Sequence, residues 1–199
     1  MLNNLAKHLA DKLLLIGSIT KDERELYIYG FFMLLSNLMY LILACFFGLI
    51  LGCLVESIIF YIAFQLIRRY AGGYHASTET RCEILSTFFI VVCIVTIKLA
   101  DLHGFQNILF IAALVSAVCI FFLCPLDTPE KPLSGEEFRQ FRKISRFILL
   151  GLVSVVVISY SKWFRILLAP CCLGLILECI LLVTEKAKRI LLARQNKHV

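Results

Sequence analysis

From Phe31 to Ile67 the chain runs for 37 residues with Asn37, Glu56 and Gln65 among its few polar interruptions. As one helix that run would extend about 55 Å, nearly twice the roughly 30 Å hydrocarbon core of a bilayer. It must therefore turn back, and Gly48, Gly52 and Glu56 mark the place, leaving spans near 29–50 and 54–69. The same length argument divides residues 83–124 at Asp101, Leu102, His103 and Gly104, and residues 147–184 at Ser161, Lys162 and Trp163. Six spans result. Composition agrees: 60% of residues are hydrophobic and 17% charged, where a soluble domain has about half and about a quarter. The expected fold class is all-α, a polytopic membrane protein with about six transmembrane helices and a single membrane-embedded domain over residues 1–199.

The first 25 residues lack the apolar core of a signal peptide and mix both signs of charge. Leu2, Leu5, Leu9, Leu13 and Ile16 recur at intervals of three and four, which predicts an amphipathic helix. It is expected either in the membrane interface, with Lys7 and Lys12 toward headgroups, or docked on the bundle. Lysine and arginine set the orientation. With the N-terminus inside, one face collects seventeen of the twenty basic residues, and the other keeps Lys98, Lys162 and Arg165. Both termini, residues 68–82 and the loop 125–146 are then cytosolic. That loop opens with Pro125, Pro129 and Pro132, which disfavour helix, before Ser134 and Glu137 start a charged helix. The basic tail 185–199 suits an anionic inner leaflet. A net charge of +6 needs no nucleic-acid partner, since topology accounts for it.

Seven of the nine cysteines lie in apolar runs and read as small hydrophobes, without zinc or disulfide spacing. Cys82 differs. It follows the polar stretch Arg68-Arg69-Tyr70-Ala71-Gly72-Gly73-Tyr74-His75, and Thr80 and Glu83 bracket it as a capping box at the start of the third span. A helix N-terminus and a neighbouring cation both favour the thiolate over the thiol. His75 can act as general base or as the imidazolium of an ion pair. A continuous helix from 75 to 82 would hold the two about 10.5 Å apart along its axis, too far for proton transfer. The pair Gly72 and Gly73 argues instead for a turn that folds His75 back, with backbone N–H groups available to an oxyanion.

Other readings remain open at this level. Arg68 and Arg69 also suit a plain topology anchor, and Lys131 a solvated loop. Asp127 and Glu79 are candidates to orient His75. Glu178, inside the sixth span, is either functional or paired with an arginine near the interface. Cys124 is the rival thiol, but it has no neighbouring histidine. A small transporter or channel would gather polar groups at mid-membrane, and a non-enzymatic adaptor would use residues 68–82 only for docking.

Arg68, Gly73, His75 and Cys82 stand in the pattern Arg-x4-Gly-x-His-x6-Cys, and this resembles the signature of the AgrB family. These are membrane cysteine endopeptidases of accessory gene regulator quorum-sensing systems in Gram-positive bacteria. Chain length, the apolar pattern and the loop 125–133 extend the resemblance over essentially the whole chain. It implies that Cys82 and His75 are catalytic, with Arg68, Arg69, Gly72, Gly73 and Lys131 supporting them or holding substrate. It implies an AgrD-type propeptide as substrate, cleaved through a Cys82 thioester that an internal cysteine or serine captures as a thiolactone or lactone. It further implies a homodimer in the plasma membrane, with no cofactor and no metal.

Overall fold

The computed structural model of the protein describes residues 2–73, 79–126, 134–161 and 164–195. Every described element is a helix: α1 Leu2–Leu15, α2 Arg24–Leu51, α3 Leu54–Ala71, α4 Glu79–His103, α5 Gln106–Leu123, α6 Gly135–Ser159 and α7 Arg165–Gln195. The three long apolar runs break where length requires. Gly52, in the left-handed region at φ 66°, reverses the chain between α2 and α3, and Cys53 N–H closes the turn on the Gly48 carbonyl at 2.8 Å. Gly104 (φ 72°) separates α4 from α5, and residues 160–164 separate α6 from α7.

Four helices are long and apolar enough to cross a membrane: Arg24–Leu51, Arg81–His103, Gln106–Leu123 and Arg165–Leu192. The other two expected spans exist as helices with more charge. Glu56, Arg68 and Arg69 fall within the length of α3, and the first half of α6 carries Glu136, Glu137, Arg139, Arg142, Lys143 and Arg146. The apolar part of α6 runs only from Phe147 to Ser159.

The molecule has two compact units, Met1–Leu43 and Ala44–Val199. In the first, α1 lies on α2 through fully buried Ala6 and Ala10, which meet Ile28, Phe31, Phe32 and Leu35. Small residues one turn apart carry this contact because they let the two backbones approach. Leu2, Leu9 and Leu13 are half-buried beside it, whereas Leu5 and Ile16, part of the same expected stripe, stay exposed. Arg24 Nε donates to Asp11 Oδ1 at 2.7 Å, pinning α1 to the start of α2 and holding the Asp11 carboxyl below its ordinary pKa. Thr20 N–H and hydroxyl both donate to Glu23 Oε2, which lowers the Glu23 pKa in the same way.

In the second unit α7 is the central helix. The most apolar stretch of α7 is 61% buried, against 17–28% for the other three membrane-length helices, so α3, α4, α5 and α6 are arranged around it. Gly174 makes the tightest part of this packing. A Cβ there would lie 3.2 Å from the Phe64 backbone nitrogen and 3.4 Å from the Ala63 Cβ, the close approach that small residues permit between membrane helices. α5 shows the complementary surface. Leu109, Ala113, Ser116, Ala117 and Ile120 face inward, while Ile108, Ile111, Val115, Val118 and Phe122 form an exposed apolar stripe. A stripe of that kind suits lipid, not water.

Candidate active site

At the far end of α3 the chain leaves the helix through two glycines, and each is required by its surroundings. Gly72 (φ 82°) returns its N–H to the Arg68 carbonyl at 3.3 Å, and its own carbonyl accepts from Arg68 Nη1 at 3.0 Å. A Cβ at Gly72 would lie 2.5 Å from the Leu126 carbonyl oxygen. Gly73 (φ 131°) is buried, and a Cβ there would run into the Arg68 guanidinium while lying 3.6 Å from Leu181 Cβ. Positive φ and close approach both demand glycine here.

α7 forms the other wall. Glu178 is completely buried, and its Oε2 lies 3.8 Å from Arg68 Nη1, whose side chain is 19% exposed. Neither Glu178 oxygen accepts a hydrogen bond among the described residues. Arg69, one residue on and so about 100° around the helix, is exposed and lies over the Tyr70 ring at 5.8 Å. The two arginines therefore have different surroundings. Arg68 faces the glycines and Glu178, and Arg69 faces outward.

The second predicted loop meets the first at this end. Leu126 N–H donates to the Ala71 carbonyl at 2.8 Å, joining the chain beyond α5 to the end of α3. Tyr70 meets Phe141 of α6 edge-on at 5.8 Å, and Arg146 lies 4.2 Å over the Phe121 ring. α6 starts as expected at Ser134, with both hydrogen bonds of the capping box to Glu137 formed, at 2.9 and 3.3 Å.

Cys82 is the fourth residue of α4 and is half-buried, next to exposed Arg81. Cys124, the rival thiol, is buried. The helix begins at Glu79, one residue ahead of Thr80. This corrects the expected cap: Thr80 is a helical residue, so the N-cap position falls before it. Cys82 keeps its place at the end of the first turn, where the helix dipole still acts. Glu79 is described only as the first residue of α4. His75, Asp127 and Lys131 lie outside the described residues.

The residue whose role the sequence did not define is Glu178. Its position in an apolar span marks it as unusual, but its pairing with Arg68 joins positions 110 apart in the chain. An open cleft of about 720 Å³ lies elsewhere, among Glu56, Asp101, His103, Gln106 and Arg165. There Arg165 Nε donates to Gln106 Oε1 at 2.7 Å. That cleft sits where α3, α5 and α7 begin and α4 ends, at the opposite end of this unit from Gly72 and Gly73.

The family model described as "Accessory gene regulator B" matches residues 2–182. The AgrB-like protein 2 of Clostridium perfringens (strain 13 / Type A) is 23% identical, covering 82% of this chain and 81% of that protein. An AgrB-like protein of Clostridium perfringens (strain SM101 / Type A) is 24% identical over 92% of this chain and 91% of its own length. One of Listeria monocytogenes serotype 4b (strain F2365) is 28% identical over 79% of each. No solved structure matches this chain.

Proposed function

Because the chain belongs to the AgrB family, the membrane proteins of accessory gene regulator quorum sensing, we propose that it is a cysteine endopeptidase acting on an AgrD-type propeptide. Cys82 is the nucleophile. Its thiolate, formed as His75 takes the thiol proton, attacks the scissile carbonyl carbon and gives a tetrahedral oxyanion; the Gly72 N–H is committed to the Arg68 carbonyl and does not hold it. The C–N bond then breaks, and the leaving amine takes a proton from His75. The product is a thioester on Cys82. An internal cysteine or serine of the peptide, giving its proton to the now neutral His75, attacks the thioester carbon; the C–S bond to Cys82 breaks, releasing the Cys82 thiolate and closing a thiolactone or lactone. Water loses this competition when the internal nucleophile is already held against the thioester.

The observation that carries the reading is the half-buried Cys82 at the first turn of α4, in a helix packed against both α3 and α7. Arg68, Gly72 and Gly73 have a supporting role, and Arg69 and Lys131 bind substrate, with Asp127 or Glu79 orienting His75. The excess of basic residues on one side supports a site at the cytosolic face of a Gram-positive plasma membrane, with the protein working as a homodimer.

The test is processing of a candidate propeptide by purified protein in liposomes, comparing wild type with Cys82→Ser and His75→Ala. Mass spectrometry should find the released C-terminal fragment and an acyl adduct on Cys82 with wild type alone. Equal processing by all three would remove the assignment.

A further inference from the structure

The carboxylate of Glu178 has no local reason to be where it is. It is fully buried on a membrane-spanning helix, and neither oxygen accepts a hydrogen bond among the described residues. A charge in such a place is rare unless it is paired and used. Its neighbour is Arg68, at 3.8 Å. That guanidinium in turn donates to the Gly72 carbonyl at 3.0 Å and fills the space that a side chain at Gly73 would need. Leu181, nearly one turn beyond Glu178, closes the far side of Gly73. The contacts form one chain, from the α7 carboxylate through Arg68 to the backbone two residues before His75.

We infer that Glu178 is a positioning residue for the peptidase site: it fixes the Arg68 guanidinium, and Arg68 fixes the Gly72 and Gly73 backbone from which the His75 segment departs. This rests on the cysteine-peptidase reading above. Arg68 alone, on the last turn of α3, could swing toward the headgroups, as long basic side chains at helix ends do. A buried anion on α7 holds it inward. Glu178 touches neither substrate nor reacting atoms, so its loss acts on geometry, through kcat and not through substrate affinity.

The experiment measures propeptide cleavage in liposomes for Glu178→Gln, Arg68→Gln, the double variant, Glu178→Asp, Glu185→Gln and Cys82→Ser. Glu185 is the control, because it is also a buried α7 carboxylate but pairs with Arg189 of its own helix. Glu178→Gln should lower kcat about 100-fold, the effect of misplacing a reacting group by about 1 Å, with KM changed less than about threefold. Arg68→Gln should match it, the double variant should be no worse than either single, and Glu185→Gln should keep wild-type kcat. If Glu178→Gln does not fold, Glu178→Asp carries the comparison: it keeps the charge one methylene farther from Arg68, and its kcat should fall with KM held. Wild-type kcat in the folded Glu178 variant, or losses that multiply in the double variant, overturns the inference while Cys82→Ser remains inactive. Cleavage by Cys82→Ser instead overturns the peptidase reading, and this inference with it.

Discussion

The Ala71 carbonyl accepts the Leu126 N–H at 2.8 Å. Through that one hydrogen bond, the strand of chain entering the His75 segment and the one entering the Asp127 and Lys131 segment start side by side. Two loops about fifty residues apart in sequence are thereby joined at one end of α3.

Leu126→Pro removes this donor without adding a charge. A hydrogen bond of this kind contributes about 1 kcal/mol net, so the fold should survive with a small loss of thermal stability. Propeptide cleavage, scored by the released fragment, should fall at least tenfold. Unchanged cleavage would mean that the two loops work independently.

Gly73→Ala should be far more damaging than its size suggests. The added methyl meets the Arg68 guanidinium, and the backbone conformation at φ 131° disfavours any side chain. Cleavage should drop about 100-fold, the scale of a 1 Å displacement at a reacting centre. Gly30→Ala, whose methyl meets nothing within 4 Å, should keep full activity in the same assay.

The Asp11–Arg24 bridge predicts a pH dependence in the N-terminal unit. Arg24 holds the Asp11 carboxyl below its ordinary value, so the folded form binds a proton less readily than the unfolded one. The stabilisation is therefore complete above the unfolded aspartate pKa of about 3.9 and is lost as pH falls through the lower folded value. Hydrogen exchange in α1 should separate wild type from Asp11→Asn at pH 7, and the two should converge in strong acid. Because the pair is only partly buried, salt should also narrow the difference. A pH-independent difference would show that the charge is irrelevant there.

Orientation can be read with introduced thiols. Ser161 and Ser134 are both described, at opposite ends of α6. In whole cells an impermeant maleimide should label Ser161→Cys directly, and label Ser134→Cys only after permeabilisation. The reverse result would move Cys82 and its site to the outer face.

What the sequence disclosed was whatever depends on local chain length and periodicity. The apolar runs at 31–67, 83–124 and 147–184 had to fold back because no bilayer accommodates their full helical length, and Gly52 and Gly104 stand at two of the breaks. The capping box at Ser134 was equally local. At Thr80 the same pattern misled, because Thr80 lies inside α4 and the pattern alone cannot tell whether a Thr caps a helix or sits just inside one. Contacts between distant segments were hidden. The α1 leucines announced an amphipathic helix, but not that Ala6 and Ala10 would be its buried contact with α2, where close backbone approach favours the smallest side chains. Glu178 stood out as a carboxylate in an apolar span, but its partner on α3 is visible only once α3 and α7 lie side by side.

The same two helices show what sets that pairing. Phe64 stands four residues before Arg68 on α3, and Gly174 four residues before Glu178 on α7, so their contact lies one helical turn deeper on the same two faces. Gly174 thus serves as a spacer gauge for the charges above it. Replacing it with progressively larger residues would pry the helices apart like a wedge, stretching the Arg68–Glu178 gap by degrees while leaving both charges chemically intact.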